Sequence, residues 1–248
     1  MAIISTEAIV LRSIDHRETS KLAFFFTRSH GRVIGVLKGI RKDPRKFSTT
    51  LDKLSVNDIV FYQYRNSDIH LVSHCDMKEY FPGVRQDMKR ITAGEYACEL
   101  VNKIMPLEEK NEGVYTLFLD YCRALARARD IGRLVHMFQS KGLALSGFQP
   151  HIDSCVQCGG DVNGRAKFST LKGGLVCPRC ARSTRQGMAL MTVSPGAVAS
   201  LLYVGRHPWD QCLKLVLTPS VKRELKDILN NFLVYHLEKN IRSGKYLD

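Results

Sequence analysis

The sequence predicts an α+β protein with an N-terminal β-barrel of the OB type and a C-terminal α-helical domain interrupted by a four-cysteine module. Residues 1–80 alternate apolar and polar side chains with the period of a β-strand, whereas 81–150 and 188–248 have apolar stripes with the period of a helix. Two Cys-x-x-Cys pairs lie between these helical segments, in residues 151–187. We therefore expect an N-terminal barrel domain, a helical domain in two parts and an inserted cysteine module.

The barrel prediction depends on the strand-like segments of the first 80 residues, which are 6–13, 20–27, 32–38, 58–64 and 69–77. Turn-forming residues at 28–31 and 66–68 join two pairs of these segments, and a long irregular connection occupies 39–53. Five short strands with one long connection are typical of a small Greek-key barrel of the OB type. An SH3-like barrel remains the alternative.

The long connection has the densest positive charge in the chain. Residues 28–53 contain eight basic and two acidic residues, in a chain whose formal net charge is +13. Such an excess indicates a polyanionic partner, with nucleic acid favoured over a membrane surface. The predicted contact residues are Arg28, Arg32, Lys38, Arg41, Lys42, Arg45 and Lys46. An ordinary solvated loop is the alternative.

Aromatic side chains on the predicted strands are candidates for stacking on the bases of a single strand. They are Phe24, Phe26, Tyr62 and Tyr64. Strand alternation places residues of the same parity on one face, but the sequence does not say which face is the core. Core packing is the expected role of at least half of them.

Apolar periodicity predicts three helices between residues 81 and 150, the first ending at Pro106 and the third before Gly147. Ser194-Pro195 and Thr218-Pro219 each combine a capping residue with a proline at the first helical position. The last helix is expected to fade at Ser243-Gly244. Its expected buried residues are Val221, Leu225, Ile228, Phe232 and either Tyr235 or His236.

The cysteine module contains Cys155 and Cys158, followed after eighteen residues by Cys177 and Cys180. This is the spacing of a four-thiolate structural zinc site, with a small hairpin expected at 166–171 between turns at 163–164 and 172–174. Disulfides fit less well because no secretory signal precedes them, and a thioredoxin-like motif would need a βαβ unit. A catalytic zinc would keep an open coordination position. Cys75, Cys98, Cys122 and Cys212 are expected to be buried thiols.

The sequence does not indicate an enzyme. It lacks the P-loop, His-Glu-x-x-His, Gly-x-Ser-x-Gly and Gly-x-Gly-x-x-Gly motifs. His70 and His74 would share one face of a strand, where two imidazoles without a third ligand are expected to be surface residues. With no targeting segment and no long apolar run, we expect a protein of the reducing cytosol.

Several stretches, in order and spacing, resemble the bacterial RecO family of recombination-mediator and DNA-repair proteins. They are Thr6–Arg12, Phe26–Arg32, Leu37–Lys42, Leu143–Pro150 and Cys155–Gly159, so the resemblance extends over nearly the full chain. Asp43 is a departure, because it interrupts the basic loop.

The resemblance implies an OB barrel, a helical domain and a four-cysteine zinc finger, with Cys155, Cys158, Cys177 and Cys180 holding one structural zinc ion. It further implies a non-enzymatic protein that binds single- and double-stranded DNA, anneals complementary strands and helps load recombinase onto strands coated by single-strand-binding protein. The implied partners are DNA, RecR, RecF in some bacteria and the acidic C-terminal tail of single-strand-binding protein, with no membrane. The implied location is the bacterial cytoplasm, in association with the nucleoid. A zinc-ribbon RNA-binding or transcription-associated factor and a metal-dependent nuclease are the alternatives.

Overall fold

The computed structural model describes residues 2–162, 166–183, 190–237, 241 and 243–246. The chain divides into two compact units, one formed by Met1–Arg129 with Ser243–Leu247 and the other by Asp130–Arg242 with Asp248. The first unit contains the β-rich N-terminal domain and two helices, and the second contains the cysteine module and the remaining helices. The finer division at residues 80, 150 and 187 remains a prediction.

Five strands form a closed barrel in the first unit. They are β1 Ala2–His16, β2 Ser20–Thr27, β3 Gly31–Leu37, β4 Val56–Gln63 and β5 Ile69–Glu79. Their order is β1-β2-β3-β5-β4, with β4 pairing back onto β1 and β3 running parallel to β5. The predicted fold class is confirmed, and the single long connection lies between β3 and β4 as expected.

Alternation along the strands determines the barrel core. Ala23 and Phe25 on β2, with Val33 and Leu37 on β3, point inward and are buried. β1 is long enough to pair with β4 through its first half and with β2 from Ala8 onward, and a register shift between Val10 and Arg12 interrupts the pairing with β2. Such a bulge bends the strand, which lets one strand close the barrel on both sides.

The first unit also contains two α-helices, α1 Met88–Ile104 and α2 Glu112–Leu125, and a 3-10 helix at Ser243–Tyr246. Asp87 caps α1 by accepting from the Arg90 amide at 2.9 Å, and Asn111 caps α2 by accepting from the Val114 amide at 3.0 Å. These caps satisfy amides that lack a partner within the helix. The Tyr121 hydroxyl on α2 donates to the Ala93 carbonyl on α1 at 2.9 Å, which ties the two helices together.

The second unit begins with α3 Ile131–Leu145 and contains a small sheet in the order β7-β6-β8. The strands of this sheet are β6 Ala166–Ser169, β7 Gly174–Val176 and β8 Leu190–Val193. The further helices of the second unit are α4 Pro178–Ser183, α5 Pro195–Arg206, α6 Trp209–Cys212 and α7 Pro219–Leu237. β6 and β7 form a hairpin, but only its first strand lies within the predicted segment 166–171, and the second lies at Gly174–Val176. β8, α4 and α6 were not predicted. The predicted turn at 163–164 lies outside the described residues. Within the described ranges, no helix is both long and apolar enough to cross a bilayer.

The caps of α5 and α7 lie where the sequence places them. The Ser194 hydroxyl accepts from the Ala197 amide at 3.2 Å, and the Thr218 hydroxyl accepts from the Val221 amide at 3.3 Å. The prediction that Tyr235 or His236 is buried was wrong, because both are exposed. Of the other predicted residues, Leu225, Ile228 and Phe232 are buried and Val221 is half-buried. Leu229 and Leu233, which were not predicted, are also buried.

The turn between β2 and β3 provides a test of the packing in the first unit. Gly31 has φ +61°, and a Cβ there would lie 2.0 Å from the Glu109 carbonyl oxygen. We expect Gly31→Ala to lower the free energy of unfolding by about 2 kcal/mol or more, measured by urea unfolding followed by circular dichroism. The control Gly132→Ala in α3, where no atom lies within 4 Å, should raise it by about 0.5–1 kcal/mol. Equal stabilities for the two variants would contradict the described packing.

Candidate nucleic-acid interface and metal centre

The connection from β3 to β4 is held against the barrel by its apolar residues. Ile40, Phe47 and Leu51 are buried in the barrel core. The Arg41 amide donates to the Thr19 carbonyl at 3.0 Å, and the Met77 amide donates to the Ser48 carbonyl at 2.8 Å. A short 3-10 turn, Pro44–Lys46, lies between these anchors, so the basic side chains start from a backbone fixed at several points.

The basic side chains of this connection are on the surface. We call this group the cationic loop, and it consists of Lys38, Arg41, Lys42, Arg45 and Lys46, all of which are exposed. The side chain of Arg45 is 96% exposed, with its Nε 3.6 Å from Asp43. Arg41 lies 3.5 Å from Asp15. Exposed ion pairs contribute at most about 1 kcal/mol, so a phosphate can replace these carboxylates.

Arg28 and Arg32 lie at the opposite end of β3 from the cationic loop. β3 has seven residues, which separates the two groups by roughly 20 Å. Arg28 forms an ion pair with Glu7 at 2.9 Å, and its guanidinium lies 5.2 Å from the centre of the Tyr115 ring. The seven predicted contact residues therefore do not form one cluster, which corrects the expectation from the sequence. The roles of Arg28 and Arg32 in binding remain predictions.

Arg32 joins β3 to the end of α1. Its Nη1 donates to the carbonyl of Asn102 at 2.7 Å and to that of Met105 at 2.6 Å. The last carbonyls of a helix lack partners and have negative partial charge, so a guanidinium there is stabilising. Burial lowers the pKa of Arg32, but an arginine remains charged. The basic side chain thus serves the fold of the first unit.

The Glu7 carboxylate on β1 also contacts several basic and polar donors. It accepts from Lys78 at 2.7 Å and from the Tyr115 hydroxyl at 3.1 Å, in addition to its ion pair with Arg28. Burial would raise the pKa of Glu7, but these hydrogen bonds and the charge of Arg28 outweigh it and lower the pKa. Glu7 is therefore ionised at neutral pH and fixes Arg28.

The candidate stacking aromatics differ in their environment. Phe26 is fully buried, with its ring 6.0 Å from that of Tyr115, and is excluded as a surface stacker. Phe24 is half-buried on the outer side of the barrel, where the Arg12 guanidinium lies 4.8 Å from its ring centre. Tyr62 is half-buried and Tyr64 is exposed. Three of the four therefore remain accessible.

His70 and His74 do not share a face of β5, contrary to the prediction. A register shift lies opposite them, because Val60 pairs with His74 while Phe61 pairs with Val72. The extra residue reverses the alternation, so His70 is buried and His74 is exposed. The Nε2 atom of His70 lies 2.7 Å from Glu108, which satisfies the buried imidazole.

The four predicted metal ligands come together in the second unit. The sulfurs of Cys155, Cys158, Cys177 and Cys180 all lie within 4.8 Å of one another. Cys158 and Cys177 are 3.9 Å apart at sulfur, far beyond the roughly 2.05 Å of a disulfide. Tetrahedral coordination with metal–sulfur bonds of about 2.3 Å gives sulfur separations of roughly 3.8 Å. The arrangement thus fits one four-coordinate metal ion.

Backbone amides favour the thiolate form that such an ion requires. The Cys177 amide donates to the Cys155 sulfur at 3.3 Å, and the Cys180 amide donates to the Cys177 sulfur at 3.4 Å. Burial opposes ionisation of Cys155, but amide hydrogen bonds outweigh it and lower its pKa to about 6. Gly159 has φ +71°, as expected where the chain bends after the first pair.

Comparison with known proteins assigns the chain to a family. Residues 1–81 match the family model described as Recombination protein O N terminal, and residues 85–245 match Recombination protein O C terminal. The chain belongs to the RecO family. A protein of Pelotomaculum thermopropionicum named DNA repair protein RecO is 30% identical, over 100% of this chain and 94% of its own length. A protein of the same name from Moorella thermoacetica is 27% identical, over 99% of this chain and 91% of its own.

The effects of two substitutions on stability distinguish an arginine that stabilises the fold of this RecO-family chain from one that lies on its surface. Arg32→Ala leaves the carbonyls at the end of α1 without their donor, so we expect the free energy of unfolding to fall by about 1–3 kcal/mol. Arg45→Ala removes an exposed side chain and should change stability by less than about 0.5 kcal/mol. Urea unfolding followed by circular dichroism measures both. Equal losses in the two variants would contradict the different environments described for them.

Proposed function

We propose that this chain is a non-enzymatic DNA-binding protein of recombinational repair that anneals complementary strands and helps load recombinase onto single-stranded DNA coated by single-strand-binding protein. Membership of the RecO family supports this, as do the relatives named DNA repair protein RecO. The observation on which the proposal mainly depends is the cationic loop, whose backbone is anchored while its basic side chains are exposed.

The proposed mechanism is electrostatic. Two strands repel each other through their phosphates, and basic side chains that neutralise phosphates release condensed counterions and favour binding. Contacts to the phosphate backbone of DNA do not depend on the base sequence, and they leave the base edges free to pair. The cationic loop, which binds phosphates at one end of the barrel, can therefore bind DNA strands of any sequence while their complementary bases pair.

We propose that the DNA-contacting residues are those of the cationic loop, with Arg28 and Arg32 completing the predicted set. Arg28 is half-exposed and its guanidinium is shared with Glu7. Arg32 already donates to two helix carbonyls. We therefore assign the largest contribution to the loop. RecR, RecF and the acidic tail of single-strand-binding protein are the proposed protein partners, in the bacterial cytoplasm at the nucleoid.

We also propose that Cys155, Cys158, Cys177 and Cys180 hold one structural zinc ion. Four thiolates leave no open position for substrate, so the ion stabilises the second unit rather than serving in catalysis. The distance between the sulfurs and the amide donors to two of them support this assignment.

The loop is tested by the salt dependence of DNA affinity. The triple variant Lys38→Ala, Arg41→Ala, Lys42→Ala should bind single-stranded DNA more weakly, because it loses phosphate contacts. The slope of log affinity against log salt should decrease in magnitude by about 2, at roughly 0.7 for each lost contact. Fluorescence anisotropy with labelled oligo(dT) over a range of salt concentrations gives the slope.

The matched control removes the same charge from other exposed positions of the first unit, through Lys89→Ala, Arg127→Ala and Arg129→Ala. Its slope should stay close to that of the unaltered protein. An unchanged slope in the loop variant, or an equal change in the control, would exclude the loop as the main phosphate contact. Tighter binding of oligo(U) RNA than of oligo(dT) would favour an RNA-binding function instead.

Metal content tests the cysteine site. The purified protein should contain one zinc ion per chain by elemental mass spectrometry, and Cys177→Ser should lose it because three thiolates hold zinc less tightly. Since binding contributes on the order of 10 kcal/mol, chelation should also make residues 155–180 sensitive to limited proteolysis. The control Cys212→Ala removes a buried thiol outside the cluster and should retain zinc. Protein purified without chelator that lacks zinc would refute the assignment.

A further inference from the structure

The cysteine site contains an exposed sulfur as well as buried ones. All eight cysteines lie in the described ranges, and Cys158 is exposed while the other seven are buried. Cys158 belongs to a run of four exposed residues, Gln157–Gly160, that follows the buried Cys155. A reagent dissolved in water therefore reaches Cys158 more readily than Cys155, Cys177 or Cys180.

A second sulfur lies close to the exposed one. The sulfurs of Cys158 and Cys177 are 3.9 Å apart, and all four sulfurs of the site lie within 4.8 Å of one another. A disulfide bond is roughly 2.05 Å long, so the two side chains need to move only a short distance to form it. Redox-sensing cysteines typically combine an accessible thiolate with a resolving cysteine beside it.

Basic side chains surround the exposed sulfur. Residues 151–183 contain five basic and two acidic residues. The Lys172 ammonium donates to the side-chain oxygen of Gln157, the neighbour of Cys158, at 3.3 Å. Arg179, within the second Cys-x-x-Cys pair, is exposed. Reactive cysteines are found in partly exposed environments with positive charge nearby.

The cysteines outside the site provide an internal comparison. Cys75, Cys98, Cys122 and Cys212 are buried. Burial raises the pKa of Cys75 to about 12, so this thiol stays protonated at neutral pH and is a poor nucleophile. Oxidation of the chain is therefore expected to begin at the four-cysteine site.

The packing of the cysteine module depends on its ligands. Among the described residues, the buried apolar cluster of the module consists of Cys155, Val176, Cys177 and Cys180, so three of its four members are cysteines of the site. So small a cluster contributes little hydrophobic stabilisation, and the free energy of metal binding is then free energy of folding. Oxidation of two ligands should therefore open the module.

We propose that the four-cysteine site is a peroxide-sensitive redox switch in which Cys158 is oxidised first and Cys177 is its resolving partner. The Cys158 thiolate attacks one oxygen of hydrogen peroxide, the O–O bond breaks, and the products are a sulfenic acid and, after protonation, water. The Cys177 thiolate then displaces the hydroxyl group from the sulfenic sulfur, which forms the disulfide and a second water. Two thiolates thus supply two electrons, and one peroxide with two protons gives two waters.

This proposal rests on the zinc assignment made above and adds a reversible modification to it. After the disulfide forms, only Cys155 and Cys180 remain as thiolates, and two ligands hold zinc less tightly than four. In a reducing compartment, disulfides are transient and serve redox sensing or catalysis. A thiol reductant can restore both sulfurs by thiol–disulfide exchange, after which the site can bind zinc again.

Treatment of the full-length chain with hydrogen peroxide tests the switch in the unaltered protein. A chromogenic chelator measures the zinc released, and differential alkylation with mass spectrometry identifies the oxidised cysteines. We expect one zinc ion to be released for each Cys158–Cys177 disulfide, while the four cysteines outside the site are still alkylated as thiols after denaturation. Dithiothreitol followed by zinc should restore the original metal content.

Two variants that each retain three cysteines and gain a histidine provide a matched comparison, because three cysteines and one histidine are a common structural zinc site. Cys158→His removes the exposed sulfur, whereas Cys180→His removes a buried sulfur and keeps both proposed partners. Peroxide should release zinc from Cys180→His within about twofold of the unaltered rate, and from Cys158→His about tenfold more slowly or less. The disulfide mapping in the unaltered chain decides the question if either variant fails to hold zinc.

The zinc content before oxidation separates failure of the switch from failure of the zinc assignment. A chain purified without chelator that contains no zinc would refute both. A chain that contains zinc but retains it in peroxide, or whose first disulfide does not join Cys158 to Cys177, would overturn the switch alone. Equal rates of release from the two zinc-loaded variants would also overturn it.

Discussion

The hydrogen bonds from Arg32 to the Asn102 and Met105 carbonyls are the constraint on which the arrangement of the first unit depends. They join the start of β3 to the end of α1. With that end of the strand fixed, the opposite end leads directly into the cationic loop. Basic residues that are close together in the sequence therefore have different structural roles. Those at one end of β3 stabilise the fold, and those at the other end face solvent.

Local patterns predicted much of the structure because they depend on neighbouring residues. Period-two alternation located the five barrel strands, and the caps at Ser194 and Thr218 located the starts of two helices. The four cysteines were found from spacing alone, since two tight turns need only short sequence separation to present their sulfurs to one ion. In each case the pattern and the geometry involve the same few residues.

Predictions that depended on distant partners were less successful. Counting charges grouped Arg32 with Lys38, because the sequence does not show that a helix seventy residues later ends against Arg32. The extra residue in β5 reversed the side of His70 relative to His74, and alternation cannot foresee such a bulge.

The central claim is that polynucleotide contacts the cationic loop rather than basic residues elsewhere in the first unit. Chemical acetylation of lysines, read by mass spectrometry with and without saturating oligo(dT), tests it most directly in the unaltered protein. Lys38, Lys42 and Lys46 are exposed and should become protected when DNA binds, while exposed Lys89 and Lys110 should react at the same rate in both states. Protection of Lys89 or Lys110 with no protection in the loop would contradict the account.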